Sequence, residues 1–536
     1  MKNRSLLFQT CIQIGLLLLA TLALYGGSLS APLVFDDIEF FASPEALSRF
    51  SHSCFSLDLR WLSYASLGRT VDWFGPDTFW LKLGNVLLHA ANAIALFFLL
   101  RQLFRLTLGG NDAPNSALST LSWFAFFGAL IFVFHPVAVY GAAYIIQRSI
   151  LMATLFVVLM LLAYLEGLTR GSWRWMLAAA LCYFAAVYSK EHSIAAPGVA
   201  LALTFLIRKP SATLFRQIAP YYILAAPIAV IVLLSAKGVV GQAYEPSAPG
   251  MLELSAQAQG LLDLPNAHLL SILNQSCLFF KYLLLWLLPD PAWMSVDMRE
   301  PFAMSFLSWP HTLGLLGFLA YPCISVWLLL KQGRKGLLGF ALLFPWIFFL
   351  AEFSAVRIQE PFVLYRSYLW MPGLFVALPV AFERFATKKS FILLGIVSLL
   401  LIPLALNRLN TFSSPFLLWD DAEKLVRDKH NVFGADRIYY NRGTELGKLK
   451  RYEEAIADFS KTIGILPFGL AYGNRAAAYY LLGEYRKALR DYDSAIALDP
   501  DNARSYYGRA LVNRMLGDFA AVQEDFRKSC ALGLCP

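Results

Sequence analysis

Residues 268–288 read HLLSILNQSCLFFKYLLLWLL. The run is long enough to cross a hydrocarbon core, which takes about 20 predominantly apolar residues in a helix. Yet Asn274, Gln275 and Lys281 lie inside it, and such side chains are costly at mid-bilayer. A crossing here would transfer two later basic clusters, Lys331, Arg334, Lys335 and Arg384, Lys388, Lys389, to the opposite side. Read instead as a re-entrant or interfacial helix, the run keeps every basic cluster on one side.

Working outward from it, the chain divides by composition. Hydrophobic residues make up 58% of the 536 positions and charged residues 15%, a charge share far below that of an ordinary soluble domain. Residues 408–536 hold 19 Lys/Arg and 17 Asp/Glu, so an apolar body precedes a water-soluble tail. The body predicts eleven membrane spans, at 8–29, 83–101, 118–134, 149–167, 174–189, 193–207, 217–236, 312–330, 336–352, 366–382 and 390–407. The first follows MKNR and reads as a retained anchor rather than a cleaved leader, because Pro32 stands beside the candidate cleavage site. Arg101 and Arg105, then Arg170 and Arg174, then Arg208, Lys209 and Arg216 join the two later clusters in alternate connections. That is the pattern of cytoplasmic loops. The formal charge of +9 is therefore a topology signal and not a nucleic-acid footprint. The N-terminus is expected in the cytoplasm and the tail on the outer face.

That threading gathers polar residues on the outer side. The first loop holds Phe35, Asp36, Asp37, Ile38 and Glu39; the second holds His135 and Pro136, with Gln147 and Arg148 on the following helix; the third holds Lys190, Glu191 and His192. A later loop adds Gln359, Glu360 and Arg366. Ionisable side chains gathered at a membrane boundary line a cavity or a pathway.

The tail repeats. Asn441, Arg442, Gly443 recur as Asn474, Arg475, Ala476 and as Gly508, Arg509, Ala510; Tyr452, Tyr485 and Phe519 align, as do Phe459, Tyr492 and Phe526. This period of 33 to 34 positions is that of tetratricopeptide repeats, pairs of antiparallel helices that stack around a concave groove suited to a peptide or partner helix. Residues 436–536 form this domain, 408–435 connect it, and 1–407 form the body. No CxxC occurs, and only Cys530 and Cys535 are spaced to pair, which requires an oxidising compartment.

Sugar transfer to a hydroxyl needs a carboxylate that takes the acceptor's proton, and a second acid that orients it or holds a divalent cation. An anionic lipid-phosphate leaving group needs cations, for which Arg148, Lys190 and Arg366 stand on the expected side. Each residue alone has a plainer role. Asp36 and Asp37 could cap a helix, Arg148 and Lys190 could snorkel, His135 could end a helix on a backbone carbonyl, and Glu191 could neutralise Lys190.

Together, FDD after the first helix, RWLSYASLGRTVDWFGPDTFWLKLGNVLLHAANAIALF, FHPVAVYGAAYIIQRSILMATLF and YSKEHSIAAPG, followed by further spans and repeats, resemble the TMTC-type membrane proteins and their bacterial relatives. Their body is similar to the GT-C superfamily that includes the protein O-mannosyltransferases. The resemblance implies an all-α GT-C-like bundle and an inverting transferase that uses a polyprenyl-phosphate-linked sugar. Asp36 and Asp37 would be its catalytic pair, with a divalent cation as a further ligand they could hold. It carries supporting roles onto His135, Pro136, Gln147, Ser149, Glu191 and His192. A late Glu-His-Arg and Tyr-Leu-Pro pattern is replaced by QEPFVLYRSYLWMPG, which retains Arg366 and Tyr368. The expectation is a bacterial inner-membrane enzyme, bathed in lipid, whose periplasmic repeats recruit a protein or peptide acceptor. The alternative is a non-enzymatic repeat scaffold for envelope or pilus assembly.

Overall fold

The computed structural model describes residues 2–42, 55–110, 114–237, 266–358, 360–429 and 432–535. Among them every regular element is helical. The helices are α1 (Lys2–Tyr25), α2 (Asp36–Ala42), α3 (Trp61–Phe74), α4 (Thr78–Leu108), α5 (Asn115–Phe134), α6 (Pro136–Ala142), α7 (Arg148–Arg170), α8 (Trp173–Ser189), α9 (Ala196–Ile207), α10 (Ala212–Ser235) and α11 (Ala267–Leu287). There follow α12 (His311–Leu330), α13 (Gly333–Phe349), α14 (Leu378–Ala381), α15 (Thr387–Thr411), α16 (Pro415–Val426), α17 (Ala435–Lys448), α18 (Tyr452–Ile465), α19 (Gly469–Leu481), α20 (Tyr485–Leu498), α21 (Ala503–Leu516) and α22 (Phe519–Ala531). The chain forms two compact units, divided between Ser414 and Pro415, with Asp297–Phe302 joining the second. The connecting segment expected at 408–435 is therefore split, since α15 runs unbroken to Thr411.

Nine helical segments among the described residues are long and apolar enough to cross a membrane by length and composition. Eight coincide with expected spans; the ninth is α11, whose mean hydropathy of 1.4 is the lowest of the nine. The expected spans at 174–189 and 193–207 are shorter helices, α8 of 17 residues and α9 of 12. The expected span at 366–382 is not a continuous α-helix. It consists of two 3-10 segments, Leu364–Leu369 and Met371–Ala377, and the four-residue α14. Pro372 and Pro379 remove backbone donors there. Gly373 lies so close to the Phe344 side chain that a Cβ would come within 2.3 Å of it, a packing that fixes the irregular path.

Helix α11 is fastened along its length to the segment 353–367. His268 Nε2 meets the Phe353 carbonyl at 2.7 Å, and the Arg357 N–H donates to Ser271 Oγ at 2.9 Å. Gln275 donates to the Pro361 carbonyl at 2.7 Å, the Tyr282 hydroxyl to the Val363 carbonyl at 2.9 Å, and the Trp286 indole to Ser367 Oγ at 3.0 Å. Asn274 Oδ1 accepts the Ala303 N–H at 2.9 Å. Of the polar residues that make this helix ambiguous in sequence, Gln275 thus holds the late loop and Asn274 holds the backbone at Ala303.

A polar stripe on α4 does the same for another loop. Asn85, His89 and Asn92 lie on one helical face and are buried. Asn85 Nδ2 donates to the carbonyls of Tyr144 and Ile145 at 3.1 and 3.2 Å, and Asn92 donates to that of Leu151 at 2.9 Å. His89 Nδ1 lies 2.6 Å from the Tyr368 hydroxyl.

In the second unit, α17 to α22 form three helix pairs. In each, an arginine of the first helix bridges an aspartate of the second through two hydrogen bonds of 2.7 to 2.9 Å: Arg442 to Asp458, Arg475 to Asp491, Arg509 to Asp525. Small residues permit the approach. A Cβ on Gly508 would fall 2.3 Å from the Tyr492 ring. Helix α16 joins the stack through Glu423, which Arg442 meets at 2.8 Å. Cys530 and Cys535 are disulfide-bonded.

Candidate functional site

The acidic pair opens α2, directly after Phe35, whose φ of 55° is left-handed and strained for a bulky L-residue. The two acids have different environments. Asp37 is 0% exposed, and both its carboxylate oxygens accept backbone N–H groups, from Ile146 at 2.8 Å and Ile145 at 3.3 Å. Burial pushes its pKa up to about 7 against the pull of those hydrogen bonds and of the Lys82 ammonium. Asp36 is half-buried, and its backbone N–H donates to the Tyr144 hydroxyl at 3.1 Å. The Tyr144 hydroxyl is held well above the usual phenol range by burial and by the neighbouring Asp36 and Asp37 charges. Asp36 is thus the half-buried member of the pair and Asp37 the internal one.

Lys190 follows α8 and is 4% exposed. Its ammonium makes two long neutral contacts, 3.4 Å to Ser149 Oγ and 3.5 Å to Gln147 Oε1, and lies 5.4 Å from the Tyr365 ring centroid. Among the described residues no carboxylate lies within ion-pair distance of it. Glu191, the expected neutraliser, turns instead to Arg60, whose Nη2 and Nε donate to it at 2.5 and 3.0 Å. Burial alone would raise the Glu191 carboxyl, but the Arg60 charge and hydrogen bonds outweigh it and hold the group well below the carboxylate range. Burial, with Arg60 and Arg366 nearby, lowers Lys190 to about 7.

The Tyr365 ring also meets Tyr144 edge-on, at 6.2 Å between centroids. It therefore links the Asp36 side of the cluster to Lys190. Next to Tyr365, Arg366 donates to Glu352 Oε2 at 3.1 Å and to Glu360 Oε2 at 3.4 Å. Glu352, 1% exposed, also has Arg357 Nε at 3.5 Å. His192 Nε2 lies 3.2 Å from Glu352 Oε1, without hydrogen-bond geometry.

The structure thus brings Asp36, Asp37, Gln147, Lys190, Glu191, His192 and Arg366 into one connected cluster. Three expected members stand differently. Arg148 is 3% exposed and commits its donors to Asn85 Oδ1, the Ser66 and Leu81 carbonyls and Thr70 Oγ1, at 2.7 to 3.0 Å. It braces α3, α4 and α7 with four of its five N–H groups. His135 accepts the Val137 N–H at 3.3 Å as a helix cap, meets the Trp286 carbonyl at 3.2 Å, and is driven by burial to about 3, so it stays neutral. Tyr368 faces His89 in the interior. Gln359 lies outside the described residues.

Tyr144, Tyr365, Arg60 and Glu352 went unread in the sequence as site residues. Tyr144 and Arg60 stand in or beside stretches quoted above, but a tyrosine near a membrane boundary reads as an anchor. Glu352 ends an expected span, where its position alone carries no partner.

A divalent cation does not fit the acidic pair. Both oxygens of Asp37 already accept N–H groups, and the Asp36 side chain is itself hydrogen-bonded with Tyr144. Among the described residues no group of three or more His, Cys, Asp or Glu side chains could hold a metal ion.

Comparison with known proteins gives similarity in the repeats. A family model described as TPR repeat matches residues 476–517, and one described as Tetratricopeptide repeat matches 436–465. Mouse (Mus musculus) sperm-associated antigen 1 is 32% identical over 103 residues, covering 19% of this chain and 11% of that protein. Homo sapiens serine/threonine-protein phosphatase 5 is 41% identical over 80 residues, 15% of this chain and 16% of that protein. Drosophila melanogaster Hsc70-interacting protein 1 is 34% identical over 84 residues, 16% of this chain and 22% of that protein. The chain thus spans about a tenth to a fifth of the length of these relatives. A solved structure, the APC/C hetero-tetramer Cut9-Hcn1, aligns over 92% of this chain and 95% of its own at 13% identity, with a TM-score of 0.22, too low to bear on the fold. The bidentate Arg–Asp pairs, the helix pairing and the two family matches together make this a tetratricopeptide-repeat protein, its repeats following an apolar helical body.

Proposed function

We propose that the body is embedded in a membrane and transfers a sugar from a polyprenyl-phosphate donor to a hydroxyl on a protein acceptor, which the repeats recruit. The observation that carries this reading is Lys190: a buried ammonium with no carboxylate among the described residues within ion-pair distance, joined through Tyr365 to the half-buried Asp36. A buried charge is costly until it is paired, and the phosphate of a lipid-linked sugar is a partner of the right sign. Asp36 takes the acceptor's proton as its oxygen bonds to the anomeric carbon. The carbon–oxygen bond to phosphate breaks, and the lipid phosphate leaves toward Lys190. Asp37 orients Asp36 by holding the Ile145–Ile146 backbone under Tyr144. Arg366, already engaged by Glu352 and Glu360, shapes the Lys190 surroundings electrostatically.

The path of α11 supports the membrane arrangement. Irregular backbone at membrane depth is tolerated only where protein or water covers it, and α11 is fastened to the irregular 353–367 segment along its whole length. An interfacial α11 keeps the basic clusters together in the cytoplasm, puts the acidic cluster and the repeats outside, in the periplasm of a bacterial cell, and suits the Cys530–Cys535 disulfide. The test is turnover of a radiolabelled polyprenyl-phosphate sugar by the purified full chain. Asp36→Asn should abolish it; unchanged turnover removes the mechanism.

A second reading, a non-enzymatic membrane scaffold, is favoured by a different observation: both family matches fall on the repeats, and the relatives include a protein named for interaction with Hsc70. In it the repeats bind a partner protein and the body anchors them. An Asp36→Asn chain that complements a deletion strain as well as the unaltered chain would select the scaffold.

A further inference from the structure

At the opposite end of α1 from Asp36, a lateral groove of about 680 Å³ opens among α1, α4, α5, α7 and α8, within the roughly 300–1,000 Å³ range of ligand sites. Its long wall is apolar, formed by Phe98, Leu118, Leu159 and Leu162. Its pole is cationic: Arg101 and Arg105, one helical turn apart on α4, both line it. Like charges at this spacing repel. Arg101 donates to the neutral Thr10 Oγ1 at 2.9 Å, and among the described residues no carboxylate pairs with either arginine. The one acid of the groove, Glu166, is already taken by Arg170 and by Gln102, which donates to it at 2.8 Å. Here two arginines cap an apolar trough.

We infer that this groove binds an anionic phospholipid, its phosphodiester on Arg101 and Arg105 and one acyl chain along Phe98, Leu118, Leu159 and Leu162. The occupant follows from charge and shape. The trough accepts a hydrocarbon chain, and the guanidinium groups offer paired donors to phosphate oxygens. A headgroup with net negative charge stays attracted after its phosphate is matched, whereas a zwitterionic one carries its own cation. The inference rests on the membrane reading of the body and is independent of sugar transfer.

The experiment is native mass spectrometry and thermal unfolding of the detergent-purified full chain with phosphatidylglycerol, with phosphatidylcholine of the same acyl chains, and with inorganic phosphate alone. Phosphatidylglycerol should bind about tenfold more tightly than phosphatidylcholine, near the roughly 1 kcal/mol per basic residue of a charged membrane surface. Free phosphate should do nothing. Arg101→Gln with Arg105→Gln should erase the preference, and Asp36→Asn should leave it intact even though turnover is lost. Cys182 also lines the groove, so phosphatidylglycerol should slow its alkylation in the unaltered chain, a readout that survives if the double variant fails to fold. Equal binding of the two lipids, a preference retained in the double variant, or Cys182 alkylation indifferent to lipid overturns the assignment.

Discussion

The Asp37 carboxylate holds the backbone N–H of Ile146 at 2.8 Å, from 109 positions away, and so fixes the turn that leads to Gln147 and Tyr144. A group that does this inside the protein is a poor proton acceptor for a substrate, whereas its neighbour Asp36 is only half-buried. The two acids should therefore separate by experiment. Asp37→Asn places an amide against two N–H donors and should cost about 1–3 kcal/mol of stability, read as a lowered melting temperature. Asp36→Asn should leave the melting temperature close to that of the unaltered chain and remove turnover. The reverse pattern would exchange their roles.

Stability should depend on pH in a trough near neutrality. Aspartate in an unfolded chain titrates near about 3.9 and folded Asp37 at about 7, so the native state holds more protons between those values and stability falls as pH rises through them. Unfolded lysine titrates near about 10.4 and folded Lys190 at about 7. Here the unfolded chain holds more protons, so stability rises from about pH 7 to 10. Denaturation midpoints across pH 4 to 10 should show the minimum; Lys190→Met should flatten the alkaline limb, and Asp37→Asn the acid one.

Lys190→Met should also stabilise the ligand-free chain at and below neutral pH, because it removes a buried unpaired charge. It should lose the stabilisation that a polyprenyl phosphate gives the unaltered chain, while its response to phosphatidylglycerol is kept. A polyprenyl phosphate that raises the melting temperature of the unaltered chain and the Met variant equally would show that it binds elsewhere.

Arg148→Lys should behave as a folding variant. A lysine can serve one or two of the four acceptors that Arg148 serves, and the stranded buried carbonyls cost roughly 1–3 kcal/mol each. Limited proteolysis should reveal loosening around α3 and α4. A stable Arg148→Lys chain with weakened donor affinity would return this residue to the phosphate site.

In the repeats, Arg475→Ala leaves Asp491 mostly buried without its two hydrogen bonds and should cost about 3 kcal/mol. Hydrogen exchange across α19 and α20 in the full chain should rise, and Arg475→Ala with Asp491→Ala should recover part of the protection.

If α11 lies along the membrane boundary, single cysteines at positions 268 and 288 in an otherwise cysteine-free chain should both react with an impermeant maleimide from the outer side. Reaction of one from each side would make α11 a crossing helix.

Read alone, the residues determined what depends on local period and composition. The 33 to 34-residue recurrence announces paired helices because each repeat must present its small and aromatic positions to the next, and the apolar runs announce long helices. The order of polar loops along the body also led to the expectation that Asp36, Lys190 and Arg366 share one side. Only the tertiary structure decided which acid is fully buried, that Lys190 has no carboxylate beside it among the described residues, and that Glu191 belongs to Arg60 and Arg148 to the interior. Those outcomes depend on contacts within about 3 Å between residues scores of positions apart, and hydropathy and spacing carry no record of such distances. The same holds for 268–288: its length permits a crossing, and its polar side chains acquire meaning only when Ala303 and the 353–367 segment supply partners for them.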